Sequence, residues 1–137
     1  MCASPEYLKK HGEPESIYDL HAHNCLNHHD NRLSTWHLKE KGKNIHVTVT
    51  GNLKTNSSLV LAKYAEDGIG IAYLPHFSMT AALREKRLIP ILKGAWPDPL
   101  PIYAVYPQRQ EVNKKLAVVI EAFSQFFEKS ESILTTY

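Results

Sequence analysis

An apolar run enclosed by glycine and proline limits what this chain can fold into more than any other segment does. A helical stretch ends at Ala65-Glu66-Asp67, and Gly68-Ile69-Gly70-Ile71-Ala72-Tyr73-Leu74 then stays apolar until Pro75. Glycine just past a last helical turn takes the left-handed backbone that closes a helix. Gly70 has no side chain, so another backbone or a ligand can come close there. A short apolar run without polar alternation reads as a central strand buried on both faces. Ligands of open α/β sheets sit outside the carboxyl ends of such strands, which directs attention to Leu74, Pro75 and His76.

The rest of the chain supplies partners for that strand. Met1 to Ala3 reads as the end of a strand, and Pro5 opens a short helix through about Lys10, ended by Gly12 and Pro14. A second short helix is expected over Ile17 to His21 and a brief strand over Asn24 to Asn27. Thr35 to Leu38 and Ile45 to Thr50 read as a hairpin turning at Lys41-Gly42-Lys43-Asn44, with Ile45, Val47 and Val49 on its buried face. Asn56-Ser57-Ser58 begins a helix, because all three are good N-cap residues. Further expectations are a helix from Pro75 to Arg84, strands at Leu88 to Leu92 and Ile102 to Tyr106, and a long helix from Val112 to Glu128. That alternation gives an α/β three-layer sandwich with a mixed, largely parallel sheet of about five strands.

Composition excludes several classes of function. Lys and Arg total 16 against 14 Asp and Glu, a formal charge of +2, and the basic residues form short separated clusters instead of a phosphate track. No apolar segment approaches the roughly 20 residues that a membrane helix needs, and the N-terminus lacks the pattern of a signal peptide. Two cysteines, Cys2 and Cys25, make no disulfide framework and fit a reducing cytoplasm. There is no nucleophile elbow, phosphate loop or dinucleotide fingerprint, so no enzyme is expected and no cofactor is implied.

Several short segments also share an order. They are Cys2-Ala3-Ser4-Pro5-Glu6-Tyr7-Leu8, His11-Gly12-Glu13-Pro14, Asp19-Leu20-His21-Ala22-His23-Asn24-Cys25, Val47-Thr48-Val49-Thr50-Gly51-Asn52-Leu53, Asn56-Ser57, Gly68 to Pro75, Leu88-Ile89-Pro90-Ile91-Leu92, and Pro101-Ile102-Tyr103-Ala104-Val105-Tyr106-Pro107. In order and spacing the chain, from Cys2 to about Lys129, resembles the C-terminal half of the effector-binding domain of LysR-type transcriptional regulators. The resemblance implies a bacterial, cytoplasmic ligand sensor with two lobes resembling those of periplasmic binding proteins, and a small molecule between the lobes. It assigns residues 1–4 to a crossing strand, 5–100 to the second lobe, 101–129 to a second crossing strand and a returning helix, and 130–137 to a tail. It also implies a fragment: the winged helix-turn-helix and the first half of the effector domain have no counterpart here, so no direct nucleic-acid binding by this chain is expected.

The helix start at Thr55, Asn56 and Ser57 is the first candidate site. Its leading N–H groups lack intrahelical partners and the helix dipole favours an anion there. Plain capping is the bland alternative. Leu74, Pro75 and His76 are weaker candidates, whose ordinary role is to end a strand and begin a helix. The resemblance favours both groups, because family effectors lie against these two places. A rival reading gathers His21, His23, Cys25, His28 and His29 into a metal module, with His21 and His23 on one face of a strand. Against it stands the absence of any standard zinc spacing, so no metal is assigned. A lobe of a transporter's solute-binding protein is the other alternative. The apolar stripe Val112, Leu116, Ile120, Phe123 and Phe127, widened by Val118, Val119 and Phe126, predicts self-association through the last helix.

Overall fold

Ser4 and Pro5 start the first helix by two complementary devices. The Ser4 hydroxyl accepts the Tyr7 N–H at 3.2 Å, and Pro5 occupies the first helical position, where no N–H is needed. Helix α1 (Pro5–His11) ends at Gly12, whose φ of 83° is in a range that favours glycine. The structure, a computed structural model, describes residues 1–29, 34–99, 103–105 and 114–134. It divides into two compact units, Met1–Asp98 and Pro99–Tyr137.

The first unit holds a five-stranded sheet built from β1 (Cys2–Ala3), β2 (Cys25–His28), β5 (Lys54–Thr55), β6 (Ile71–Ala72) and β7 (Ile89–Pro90), in the order β5-β2-β6-β1-β7. Strands β5, β2 and β6 pair in parallel, while β1 is antiparallel to both β6 and β7. Only β1 therefore opposes the common direction, and the expected mixed, largely parallel sheet of about five strands is found.

Adjacent residues on these strands enter different cores, as a pleated strand buried on both faces requires. Ala3, Cys25 and Ile71 face one cluster with Tyr7, Leu20, Trp36, Leu38, Val47 and Ile91. Cys2, Leu26 and Ala72 face the other, with residues of α2 (Ser58–Glu66) and α3 (Thr80–Arg84). The first face is roofed by α1 and by a separate hairpin, β3 (Thr35–Glu40) and β4 (Lys43–Thr48). The result is three layers with the sheet in the middle.

Two glycines let the sheet close around the start of β2. A Cβ on Gly51 would lie 1.9 Å from the Cys25 carbonyl oxygen, and one on Gly70 would lie 2.3 Å from that of Asn24. The open approach expected at Gly70 is thus filled by backbone. Asn24 locks the same junction: its side chain donates to the Asn52 side chain at 2.9 Å and to the Ile69 carbonyl at 2.7 Å, and accepts the Asn52 N–H at 2.9 Å.

Several expected elements are altered. The helix from Pro75 to Arg84 is broken into a 3₁₀ turn (His76–Ser78) and α3. Pro75 keeps an extended ψ of 143°, Met79 interrupts the helix with φ −123°, and the Thr80 hydroxyl bonds back to the His76 carbonyl at 3.0 Å. The helix expected at Ile17 to His21 is a 3₁₀ turn at Asp19–Ala22. The hairpin turns on two residues, not four: Lys41 and Gly42 have φ 49° and 78°, the left-handed pair of a type I′ turn. The strands expected around β6 and β7 pair over shorter spans than the apolar runs suggest.

In the second unit, α4 (Lys114–Leu134) is 21 residues long, about 31 Å at 1.5 Å per residue. Val112, and Ile102 and Tyr106 at the two ends of an expected strand, lie outside the described residues, and Tyr103 to Val105 between them form no strand. Tyr103 and Val105 are exposed. Among the described residues no helix is long and apolar enough to cross a membrane.

Candidate effector site

Helix α2 emerges directly from the sheet. Strand β5 ends at Thr55, opposite His28 at the end of β2, and the Thr55 carbonyl accepts the His29 N–H at 2.8 Å. Two residues later Ser57 caps α2. Its φ and ψ are extended, −115° and 112°, and its hydroxyl accepts the Val60 N–H at 3.4 Å. The Thr55 hydroxyl in turn accepts the Ser57 N–H at 3.3 Å. One leading amide of the helix is thereby served by its own cap, and Asn56 stands exposed beside it. The far end of α2 closes as expected at Gly68, φ 74°. Gly68 donates to the Ala65 carbonyl and Ile69 to that of Tyr64, the paired bonds of a Schellman cap.

The second group of candidate residues lies at the same edge of the sheet. Because β5, β2 and β6 run in parallel, their carboxyl ends face one way, and the chain leaving β6 passes through Tyr73, Leu74 and Pro75 into the 3₁₀ turn. That turn packs against α2. Topology therefore brings Thr55, Asn56 and Ser57 to the sheet edge that also carries Leu74, Pro75 and His76. Their side chains differ in what they offer. Leu74 is buried in the core with Leu61 and Leu83, so it can present only backbone. Pro75 is exposed and His76 half-buried, its Nδ1 3.2 Å from the Thr80 hydroxyl. Burial lowers the His76 pKa and favours the neutral ring.

Sequence reasoning missed Ser78. This residue is buried in the 3₁₀ turn, and its hydroxyl has no hydrogen-bond partner among the described residues. A buried hydroxyl left unsatisfied costs roughly 1–3 kcal/mol. A polar atom retained at that cost beside α2 is a candidate ligand contact. A single serine inside Pro75-His76-Phe77-Ser78 has no pattern that could have announced it.

The rival histidine cluster takes a different shape. His21 lies on a 3₁₀ turn and is exposed, whereas His23 is buried just after it, so the two rings do not share a strand face. His23 is committed to structure. The Asn24 N–H donates to the Tyr7 hydroxyl at 3.0 Å, and that hydroxyl lies 3.2 Å from His23 Nδ1. Burial, reinforced by His11, lowers the His23 pKa. Tyr7 also stacks on His11, with ring centroids 4.5 Å apart. Among the described residues no group of three or more His, Cys, Asp or Glu could hold a metal ion. Cys2 and Cys25 are free and buried.

A cavity of about 290 Å³ opens elsewhere, between Glu15, Ile17, Lys39, Lys41, Leu92 and Ala95. It shares no residue with the helix start.

Comparison with known proteins places the chain in a family by sequence and by fold. A family model described as the LysR substrate binding domain matches residues 1–128. The HTH-type transcriptional regulator DmlR of Escherichia coli K12 is 30% identical over 129 residues, which are 93% of this chain and 42% of that protein. The HTH-type transcriptional activator AaeR of the same strain is 28% identical over 130 residues, 93% of this chain and 41% of that one. The chain thus spans about two fifths of the length of these relatives. Among solved structures, the regulatory domain of CrgA, a LysR-type transcriptional regulator from Neisseria meningitidis, superposes with a TM-score of 0.75 at 32% identity. The match covers 90% of this chain and 62% of that one.

Proposed function

The chain belongs to the family of LysR-type transcriptional regulators, and we propose that it supplies one wall of a cleft that senses a small anionic effector. The family consists of regulators, not enzymes, and a ligand-sensing role for this region follows from membership. The finer reading rests on one observation: the start of α2 lies at the carboxyl edge of three parallel strands. Backbone N–H groups and a dipole at that edge suit a carboxylate. Asn56, the Thr55 and Ser57 hydroxyls, His76 and Ser78 add polar contacts around it. A second lobe closes the cleft, and an effector that prefers the closed form shifts the lobes toward it. In the intact regulator that shift reaches the DNA-binding domains.

One wall makes a poor site. Calorimetry of the 137-residue chain with small carboxylates is therefore expected to show binding no tighter than millimolar. A one-to-one complex of micromolar affinity would contradict the two-wall reading.

The second part of the proposal concerns α4. Val118, Val119, Phe123 and Phe126 are at least half exposed, and Phe127 is 39% exposed. Phe127 meets Phe123 at 6.4 Å and Phe126 at 5.5 Å, so the rings form one apolar surface. Burying one such side chain gains roughly 1.5–3 kcal/mol, and a self-complementary stripe is most simply covered by a second copy. Light scattering at micromolar concentration should report a dimer near twice 15.6 kDa. Phe123→Asp should return it to monomer. A monomeric wild type, or a dimer that ignores the substitution, removes this surface from the account.

A further inference from the structure

The outer face of the β3–β4 hairpin pairs two imidazoles. The two-residue turn at Lys41 and Gly42 sets a register in which Trp36 faces Val47, His37 faces His46 and Leu38 faces Ile45. Trp36, Leu38 and Val47 are buried in the core, so the period of the strands places His37 and His46 together on the opposite face. Both histidines are exposed, and their rings meet edge to face with centroids 4.4 Å apart. The backbone beneath them is fixed, because the Tyr73 hydroxyl donates to the His37 carbonyl at 2.9 Å.

We propose that His37 and His46 form a two-point chelate for a divalent transition ion of the Zn²⁺, Ni²⁺ or Cu²⁺ class. Directly facing residues of an antiparallel pair hold their Cβ atoms roughly 4.5–5.5 Å apart. From there two rings can turn one nitrogen each toward a shared ion at about 2.0–2.1 Å. Neutral imidazole suits ions of this class and is a poor ligand for Mg²⁺ or Ca²⁺. Lys39, two positions beyond His37 on β3, is drawn aside by an ion pair with Asp98. Among the described residues no third His, Cys, Asp or Glu joins the pair, so water fills the remaining positions. Bound there, the ion ties β3 to β4 across the hairpin. This site is separate from the helix start of α2 and does not depend on the effector reading.

The test is titration of untagged, metal-free chain with ZnCl₂ by calorimetry, repeated with CuCl₂ and paramagnetic relaxation read at each histidine. One ion per chain is expected, with relaxation centred on His37 and His46. His37→Gln and His46→Gln should each weaken binding at least tenfold while circular dichroism stays unchanged, since both side chains face solvent. His29→Gln should leave the affinity as it is. Binding unaffected by the His37 and His46 changes, relaxation centred on His28 and His29, or no binding would each overturn the proposal.

Discussion

Gly51→Ala is expected to destabilise the chain by at least about 3 kcal/mol, the upper end of the range for overpacking a tight core. The added methyl would stand 1.9 Å from the Cys25 oxygen and 2.7 Å from its carbonyl carbon. Both atoms belong to the backbone of β2, so no rotamer change can relieve the clash. The strand must move, and with it go the 2.9 Å bond from the Cys25 N–H to the Thr50 carbonyl and the Asn24–Asn52 lock. Gly70→Ala should act in the same way, because its methyl meets the Asn24 oxygen that accepts the Ile71 N–H at 2.9 Å. Domains of this size are stable by only about 5–15 kcal/mol, so each change removes a large share. Gly94→Ala is the control: nothing lies within 4 Å of its Cβ, and its effect should stay within about 0.5 kcal/mol. Urea midpoints decide the matter. Equal midpoints for the Gly51 and Gly94 variants would show that the close approach of the strands is wrong.

The second large effect is a loss of stability in alkali. Burial pushes the Cys2 thiol from its ordinary 9.0 up to about 11, and the Cys25 thiol up to about 12. Both side chains are fully covered; Cys2 lies 3.8 Å from the Ala72 carbonyl and Cys25 3.5 Å from that of Leu20. In the unfolded chain these thiols ionise near pH 9, whereas in the fold they hold their protons. The unfolded state therefore binds fewer protons above pH 9, and stability falls as pH rises. At pH 10.5 the two thiols together should cost the fold roughly 4 kcal/mol, with each pKa unit worth about 1.4 kcal/mol. Burial raises Tyr7 and Tyr73 as well, which adds to the same limb. On the acid side His23 and His76 are lowered from 6.5, so their contribution is complete above that pH and fades as pH falls through it. Burial also lowers the Met1 amine from 8.0 to about 6, so stability should fall away below about pH 8 as well as above about pH 9. A Cys2→Ala, Cys25→Ala chain should lose much of the alkaline slope. An alkaline limb of the same steepness in that variant would assign the effect to other groups.

The sequence revealed most where local chemistry decides structure. Pro5, Ser57 and Gly68 each use a helix-end rule that operates within a few residues, and all three stand where expected. The strand at Ile71–Ala72 was visible because burial on both faces demands an unbroken apolar run. Pro75 misled for the same local reason. Proline suits a first helical turn, but only the fold reveals that its ψ is extended and that Thr80 reaches back to His76. The His37–His46 pair depended on long-range register. A turn of four residues shifts every cross-strand partner, and only the left-handed backbone at Lys41 and Gly42 brings those two rings together. The candidate site follows the same division. The cap residues of α2 could be read directly, but their alignment with the end of β6 is a property of sheet order, and the buried Ser78 hydroxyl is a property of packing alone.

On the proposed reading the effector lies against the start of α2 and the end of β6. An NMR titration of the isotope-labelled chain with a panel of small carboxylates should then give millimolar shifts concentrated at the amides of Asn56, Ser57 and Ser58 and around His76 and Ser78. Those shifts should vanish in an Asn56→Ala, Ser57→Ala variant that keeps its fold. Shifts gathered instead around Glu15, Lys39 and Leu92, or scattered over the surface and indifferent to the double variant, would place the effector elsewhere.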